Sequence, residues 1–440
     1  MENKVQHIVL SVYVNICRFV LAVVFIFSGF IKANDLQGFQ YKLTDYATAL
    51  GLTEWVSDVV LSVFGMLLTT VEFIIGVYLL FGINRRLTLW IALLLMLVMT
   101  PLTLYLAIEN PVSDCGCFGD AVVLTNWETF WKNVVLLVAV ISALYWRSYI
   151  FRIVTRRSEW LISLNSLIYI LVFAYYTQAH LPVFDFRPYS IGTHIPTAMS
   201  QPEGTHPPVY ETLFLMEKEG EQREFAIDNY PDSSWHYVDR RTVVKEEGVL
   251  PDIPELEIWS VDNDEEISEQ LLAAEGYTFL MVAYDLRKAD DSYTDLINDL
   301  YDYCRRYGYG FYAITATDDL VEHWQDRTGG EYPFCHADET ILRTIIRSNP
   351  GLVLLKNGTV INKWSSRDIP EEHLLTQPLD NLSIGKIHVA GIVRKIGLSL
   401  LWFIFPLLII SVADKVYSRW KNSRAIRMDG TQSPSIEEGA

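Results

Sequence analysis

Basic charge is scarce in this 440-residue chain: 35 Lys plus Arg stand against 53 Asp plus Glu, for a formal net charge of −18. The acidic balance discourages nucleic-acid binding, and no basic nucleic-acid patch appears along the chain. Cysteine is scarcer still, with five in all. None of them forms a Cys-x-x-Cys pair, and Cys115 and Cys117 have no second pair and no loop histidine to complete a tetrahedral zinc set. A basic n-region is missing at the N-terminus, and the first apolar run of about 23 residues is too long for the h-region of a cleaved signal, so it reads as a retained span.

Long apolar runs are what the chain has instead. They lie near 8–31, 58–82, 87–108, 129–146, 160–180 and 394–413, each close to the roughly 20 residues that cross a hydrocarbon core of about 30 Å. The partner they imply is a lipid bilayer. Arg85 and Arg86, then Arg147, Arg152, Arg156 and Arg157, then Lys415, Arg419, Lys421, Arg424 and Arg427 follow alternate spans. The positive-inside rule sets these clusters and both termini in the cytoplasm. Segments 32–57, 109–128 and 181–393 then lie outside. The acidity belongs to the last of these: residues 181–390 carry 38 acidic and 17 basic side chains, a net of −21.

Within that outer region, 181–208 is rich in proline and reads as a strap in which Phe184, Phe186 and Tyr189 pack on something. Residues 209–262 alternate in the manner of β-strands. From 277 the expected order is a strand, a helix over 291–307, a strand, helices near 318–329 and 339–348, a hairpin turned at Asn357-Gly358 and a helix over 368–377. This order, with Pro350 ahead of a strand, resembles a thioredoxin-like domain of the membrane-anchored thiol-disulfide proteins of bacterial envelopes, over 270–380. The resemblance places Pro350 at the family's cis-proline; an ordinary trans turn is the other reading. It also implies a dithiol at the start of the first helix, where the sequence has "DLRKADDSYTDL" and no cysteine, so exchange chemistry cannot run there. Cys304 and Cys335 have no fixed spacing and read as buried structural thiols rather than a disulfide.

Ionisable residues inside apolar runs are costly and are by default paired or functional. Arg18 and Glu72 are two such residues. Counting from a cytoplasmic face near residue 10 and near Gly82, their depths agree at roughly 12 and 15 Å, which predicts an Arg18–Glu72 ion pair, with Lys32 exposed at the outer rim. The pair either fixes helix register or serves a substrate or proton.

The "FSGFIKANDLQGF" end of the first span, "VEFIIGVYLLFGINRR" in the second and "DCGCFGD" before "TFWKN" together resemble the MauE branch of the DoxX-like membrane proteins, over residues 10–147. That resemblance implies a four-helix membrane domain and a part in methylamine utilisation, where MauE assists formation of a disulfide-rich dehydrogenase subunit. The expected fold class is therefore a multi-domain membrane protein. Its parts are a bundle over 1–150, a fifth span over 151–180, the strap, the β-rich segment, the α/β thioredoxin-like domain, a sixth span at 394–413 and a basic tail over 414–440.

Three readings of Cys115 and Cys117 remain. As a redox pair, they would form a small strained ring that passes readily to another thiol, with Gly116 easing the bend. Against this, Asp114 and Asp120 would raise a thiol pKa. The other readings are half of a metal site and two small residues packed in a cap. Function divides accordingly: a thiol-redox accessory acting on envelope clients, or a scaffold that binds envelope partners through a redox-dead domain. No cofactor is evident. A quinone would serve as electron acceptor, although the sequence names no site for one.

Overall fold

Six helices among the described residues are long and apolar enough to cross a membrane. In the computed structural model, residues 2–429 are described except 53–54, 113–114, 203, 219, 227–228, 230, 233, 247, 254 and 388. The expected roles of Asp114 and of the last eleven residues fall outside these. Five of the six helices are α1 (Glu2–Asn34), α3 (Asp58–Phe81), α4 (Arg85–Glu109), α5 (Asn126–Tyr145) and α6 (Glu159–Ala179); the sixth is the C-terminal helix Val389–Asp429. Between α1 and α3 lies α2 (Leu36–Ala49), a helix that the hydropathy pattern alone does not announce. Asp35 caps it by accepting a hydrogen bond of 2.9 Å from the Gly38 amide, and Leu36, Phe39, Leu43 and Ala47 form its buried stripe, as helical spacing dictates.

The register of the antiparallel helices α1 and α3 is set by small residues. A Cβ added at Gly29 would fall 2.7 Å from the Phe73 backbone nitrogen, and one at Gly76 would fall 2.5 Å from that of Ile26. Two glycines therefore let the backbones touch, the usual device where no hydrophobic force drives helices together. Around this seam, Val14, Leu21, Phe25, Leu79, Leu89 and Val140 form one buried cluster. Phe73, Tyr169 and Phe173 form another, in which the C-terminal helix places Leu407. Asp414 fastens that helix, accepting from the Thr155 amide at 2.9 Å and from the Ser158 hydroxyl at 2.6 Å.

These helices make up one compact unit, Met1–Phe186 with His388–Ala440, and Arg187–Ile387 make up a second. In the second unit β1 (Val209–Lys218), β2 (Glu221–Ala226) and β3 (His236–Glu246) form an antiparallel sheet of order β2-β1-β3. A larger sheet contains β4 (Trp259–Ser260), β5 (Tyr277–Ala283), β6 (Gly310–Thr315), β7 (Phe334–His336), β8 (Gly351–Lys356) and β9 (Thr359–Ser365), in the order β4-β7-β6-β5-β8-β9. Strands β5, β6 and β7 run parallel, while β8 is antiparallel to β5 and β9 to β8. The helices of the unit are α7 (Ile195–Met199), α8 (Ser268–Leu272), α9 (Thr294–Tyr307), α10 (Val321–Thr328) and α11 (Glu339–Ile345). Asn357 and Gly358 turn the β8–β9 hairpin with φ of 49° and 71°, the doubly left-handed turn that an Asn-Gly pair favours.

One expectation changes here, and one gains detail. The helix over 368–377 does not form; only short 3-10 turns occur at Ser366–Asp368 and Glu372–Leu374. Pro370 pushes Ile369 to an extended ψ of 133°, which stops a helix before it starts. The strap, in turn, is partly a sheet element. Gly192 and Ile195 donate to the carbonyls of Val360 and Gly358, and Val360 donates to Thr193, so residues 192–195 cover the outer edge of β9. The Asn349–Pro350 bond is cis.

A candidate site at the Cys115–Cys117 loop

Glu72 does not pair with Arg18. Its carboxylate meets Lys32, whose Nζ lies 2.7 Å from Oε1 and 2.8 Å from Oε2. The correction follows from register. Gly29 abuts Phe73 and Gly76 abuts Ile26, whereas Arg18 lies against Gly82, ten residues or about 15 Å further along α3 than Glu72. The depth count starts α1 near residue 10, whereas the helix begins at Glu2. Arg18 instead donates to the Phe151 carbonyl at 2.5 Å and lies between the Phe19 and Phe151 rings, 4.4 Å from each centroid, a setting in which aromatic faces replace a carboxylate.

Lys32 is not at an exposed rim either: it is 3 % exposed. The reason is α2, which folds back so that the Phe39 ring lies 4.8 Å from the ammonium. Burying one such charge alone is costly, and each member of the pair offsets that cost for the other.

The cysteine loop hangs on this pair. The Ser28 hydroxyl is 2.9 Å from Glu72 Oε2 and 2.9 Å from the Cys117 carbonyl oxygen; its one hydrogen serves one acceptor at a time. The Tyr46 hydroxyl, from α2, donates to the Cys115 carbonyl. Gly116 has a φ of +63° and a Cβ there would meet the Lys42 side chain at 3.0 Å, so the position admits glycine on both counts. Cys115 and Cys117 are joined as a disulfide, with Cα atoms 5.4 Å apart. Asp120 is on the exposed side of the loop.

A cavity of about 40 Å³ lies beneath the loop, lined among others by Ser28, Lys32, Glu72, Cys117, Phe118 and Lys132. Lys132 comes from α5, and its Nζ is 4.3 Å from the centroid of the Phe118 ring. Two ammonium groups thus share the cavity with one carboxylate, a local excess of positive charge in a space that Cys117 also lines. The space is enough for a water or two.

Cys304 and Cys335 are free thiols buried in the second unit, and burial raises both pKa values, that of Cys335 to about 12. The stretch where the thioredoxin resemblance expects a dithiol carries Asp285 instead, which accepts from Arg287 Nε at 2.9 Å.

Residues 10–146 match the family model described as Methylamine utilisation protein MauE. The match spans α1 to α5 and contains Ser28, Lys32, Tyr46, Glu72, the cysteine loop and Lys132, so the protein is a multi-pass membrane protein with a MauE-like region over those residues. Residues 210–247, the β1–β3 sheet, match a domain of unknown function, DUF8463. No curated protein and no solved structure matches the chain.

Ser28, Tyr46 and Lys132 are parts of the site that sequence reasoning missed. Ser28 and Lys132 sit inside the stretches that carry the MauE resemblance, but nothing local marks them. A signal for Tyr46 was present: Asp35 as a cap, followed by apolar residues at helical spacing, defines α2.

Proposed function

We propose that the protein is a membrane-embedded thiol-disulfide exchanger, an accessory to the maturation of an extracytoplasmic client, with the methylamine utilisation of the MauE description as the nearest physiological setting. The observation that carries this reading is Ser28, whose hydroxyl lies 2.9 Å from both the Cys117 carbonyl oxygen and Glu72 of a buried ion pair, at a cavity that a second lysine also lines. A loop that only closed the bundle would not need two lysines lining the cavity beside Cys117.

A client thiolate attacks one sulfur of the Cys115–Cys117 bond, forming a mixed disulfide and releasing the other sulfur as a thiolate. The second client thiol, deprotonated, then attacks the mixed disulfide. The client loses two electrons and two protons, and Cys115 and Cys117 gain them as thiols. Lys32 and Lys132 lower the cost of a thiolate at Cys117. Renewal of the disulfide needs a two-electron acceptor such as a quinone.

On this reading the arginine and lysine clusters stay cytoplasmic and the loop faces the opposite compartment. The larger sheet, with three parallel strands followed by an antiparallel hairpin, supports a thioredoxin-like fold that has lost its dithiol and retains a role in holding the client. A second reading, a scaffold without chemistry, is favoured by that missing dithiol alone.

The test is the redox state of the two cysteines in native membranes, read as alkylation mass shifts. Exchange predicts that they cycle between disulfide and dithiol, and that the Cys115→Ser, Cys117→Ser double variant loses function at normal abundance. A pair fixed in one state under oxidising and reducing growth would leave only the scaffold.

A further inference from the structure

At the end of α4 away from the cysteine loop, about 37 Å along the helix, a second and larger cavity opens, of about 570 Å³. Four arginines line it, Arg85, Arg86, Arg147 and Arg152, together with Trp90 and Asn84, and no carboxylate is among its described lining residues. Three of the four have partial local partners. Arg85 donates to the Ile150 carbonyl, Arg147 donates to that of Leu144 at 3.3 Å, and Arg152 stands 3.3 Å from Glu159. One acid against four guanidinium groups leaves the cavity strongly positive.

The start of α4 adds to this. Asn84 holds the N-cap position in the left-handed region, φ 39°, and its side chain caps no amide. The first helical turn then carries Arg85 and Arg86, cations at the positive end of a helix dipole, where an acidic residue would be favoured. Such a turn is stabilised by an anion that accepts from free amides and guanidinium forks at once, and phosphate oxygens fit both. Leu87 and Trp90, 59 % and 52 % exposed, put apolar and amphipathic surface on the rim of the same cavity, which suits an acyl chain and its headgroup rather than a soluble ion.

We infer that this cavity binds the phosphate of an anionic phospholipid, with the guanidinium groups on the headgroup and Trp90 at the boundary with the chains. The inference does not depend on the redox reading, since none of these residues approaches the cysteine loop.

The experiment uses the full chain, purified in mild detergent and depleted of lipid, then mixed with phosphatidylglycerol or phosphatidylcholine and observed by native mass spectrometry. One phosphatidylglycerol per chain should be retained in preference to phosphatidylcholine. The Arg86→Gln, Arg147→Gln double variant should weaken that retention about 30-fold, while Arg157→Gln, which changes a cation that lies over the Tyr417 ring, should leave it intact. Equal retention of the two lipids by the unaltered chain overturns the inference without recourse to any variant. So does unchanged retention in the double variant. Protection against heat by millimolar inorganic phosphate equal to that given by the lipid would reassign the site to a soluble anion and overturn the lipid assignment.

Discussion

Lys32 and Glu72 form a doubly bonded ion pair in which each side chain is almost sealed from solvent, 3 % exposed for the lysine and 4 % for the glutamate. A buried pair of this kind contributes little over apolar packing, but half of one is costly. Lys32→Met and Glu72→Gln should each destabilise the membrane unit by about 3–5 kcal/mol, and the double variant should lose much less than the two losses together. Thermal unfolding of detergent-solubilised protein measures this. Additive losses would mean that the two charges are not coupled.

Ser28→Ala removes the hydroxyl between Glu72 and the Cys117 carbonyl and should cost about 1 kcal/mol. The larger effect should be local. Without its tether the loop opens more often, so a small phosphine should reduce the Cys115–Cys117 bond severalfold faster than in the unaltered protein. Equal reduction rates would show that the bridge does not restrain the loop.

Gly76→Ala introduces a Cβ where the Ile26 backbone already stands. Overpacking at a helix seam costs about 1–3 kcal/mol, and spreading α1 from α3 would also lengthen the Lys32–Glu72 contact. A lowered midpoint in the same unfolding assay is expected, whereas Gly51→Ala, in open space, tests only its left-handed backbone and should cost less.

Cys304 and Cys335 should resist alkylation at pH 8 in the native protein and react once it is denatured. Burial raises the Cys335 pKa from 9.0 to about 12, with Asp262 adding to the shift, so about one molecule in ten thousand carries the thiolate at pH 8. The sign for stability follows from the same shift. The unfolded chain releases this proton near pH 9 and the folded chain does not, so the contribution is complete below pH 9 and is lost as pH rises towards 12. Mass spectrometry of labelled protein decides: native labelling at either thiol would contradict their burial.

The membrane helices are legible in the sequence because a run of about 20 apolar residues matches the thickness of a hydrocarbon core, and the hairpin because Asn357-Gly358 suits one turn type. Relative height is not legible. Arg18 and Glu72 match in depth only if α1 starts near residue 10; the contacts of Gly29 with Phe73 and Gly76 with Ile26 fix a different register, and no sequence count reveals which glycines meet. Lys32 looks exposed only if the segment after it is a loop, although Leu36, Phe39, Leu43 and Ala47 carry the helical period of α2. Strand β7 is three residues long, too short to show a period, and Ser28 and Lys132 are ordinary residues that only folding brings to the cysteine loop.

Asp414, bonded to Thr155 and Ser158 at the start of α6, and Phe403, 4.7 Å from Tyr169 in ring centroids, run the C-terminal helix antiparallel to α6. The chain therefore leaves the bundle and re-enters it at the same end of one helix pair. The second unit, Arg187–Ile387, is in effect a cassette inserted in the chain between two helices of one unit. A short flexible connector in its place should leave the membrane unit assembled, and would separate what the cysteine loop does from what the cassette does.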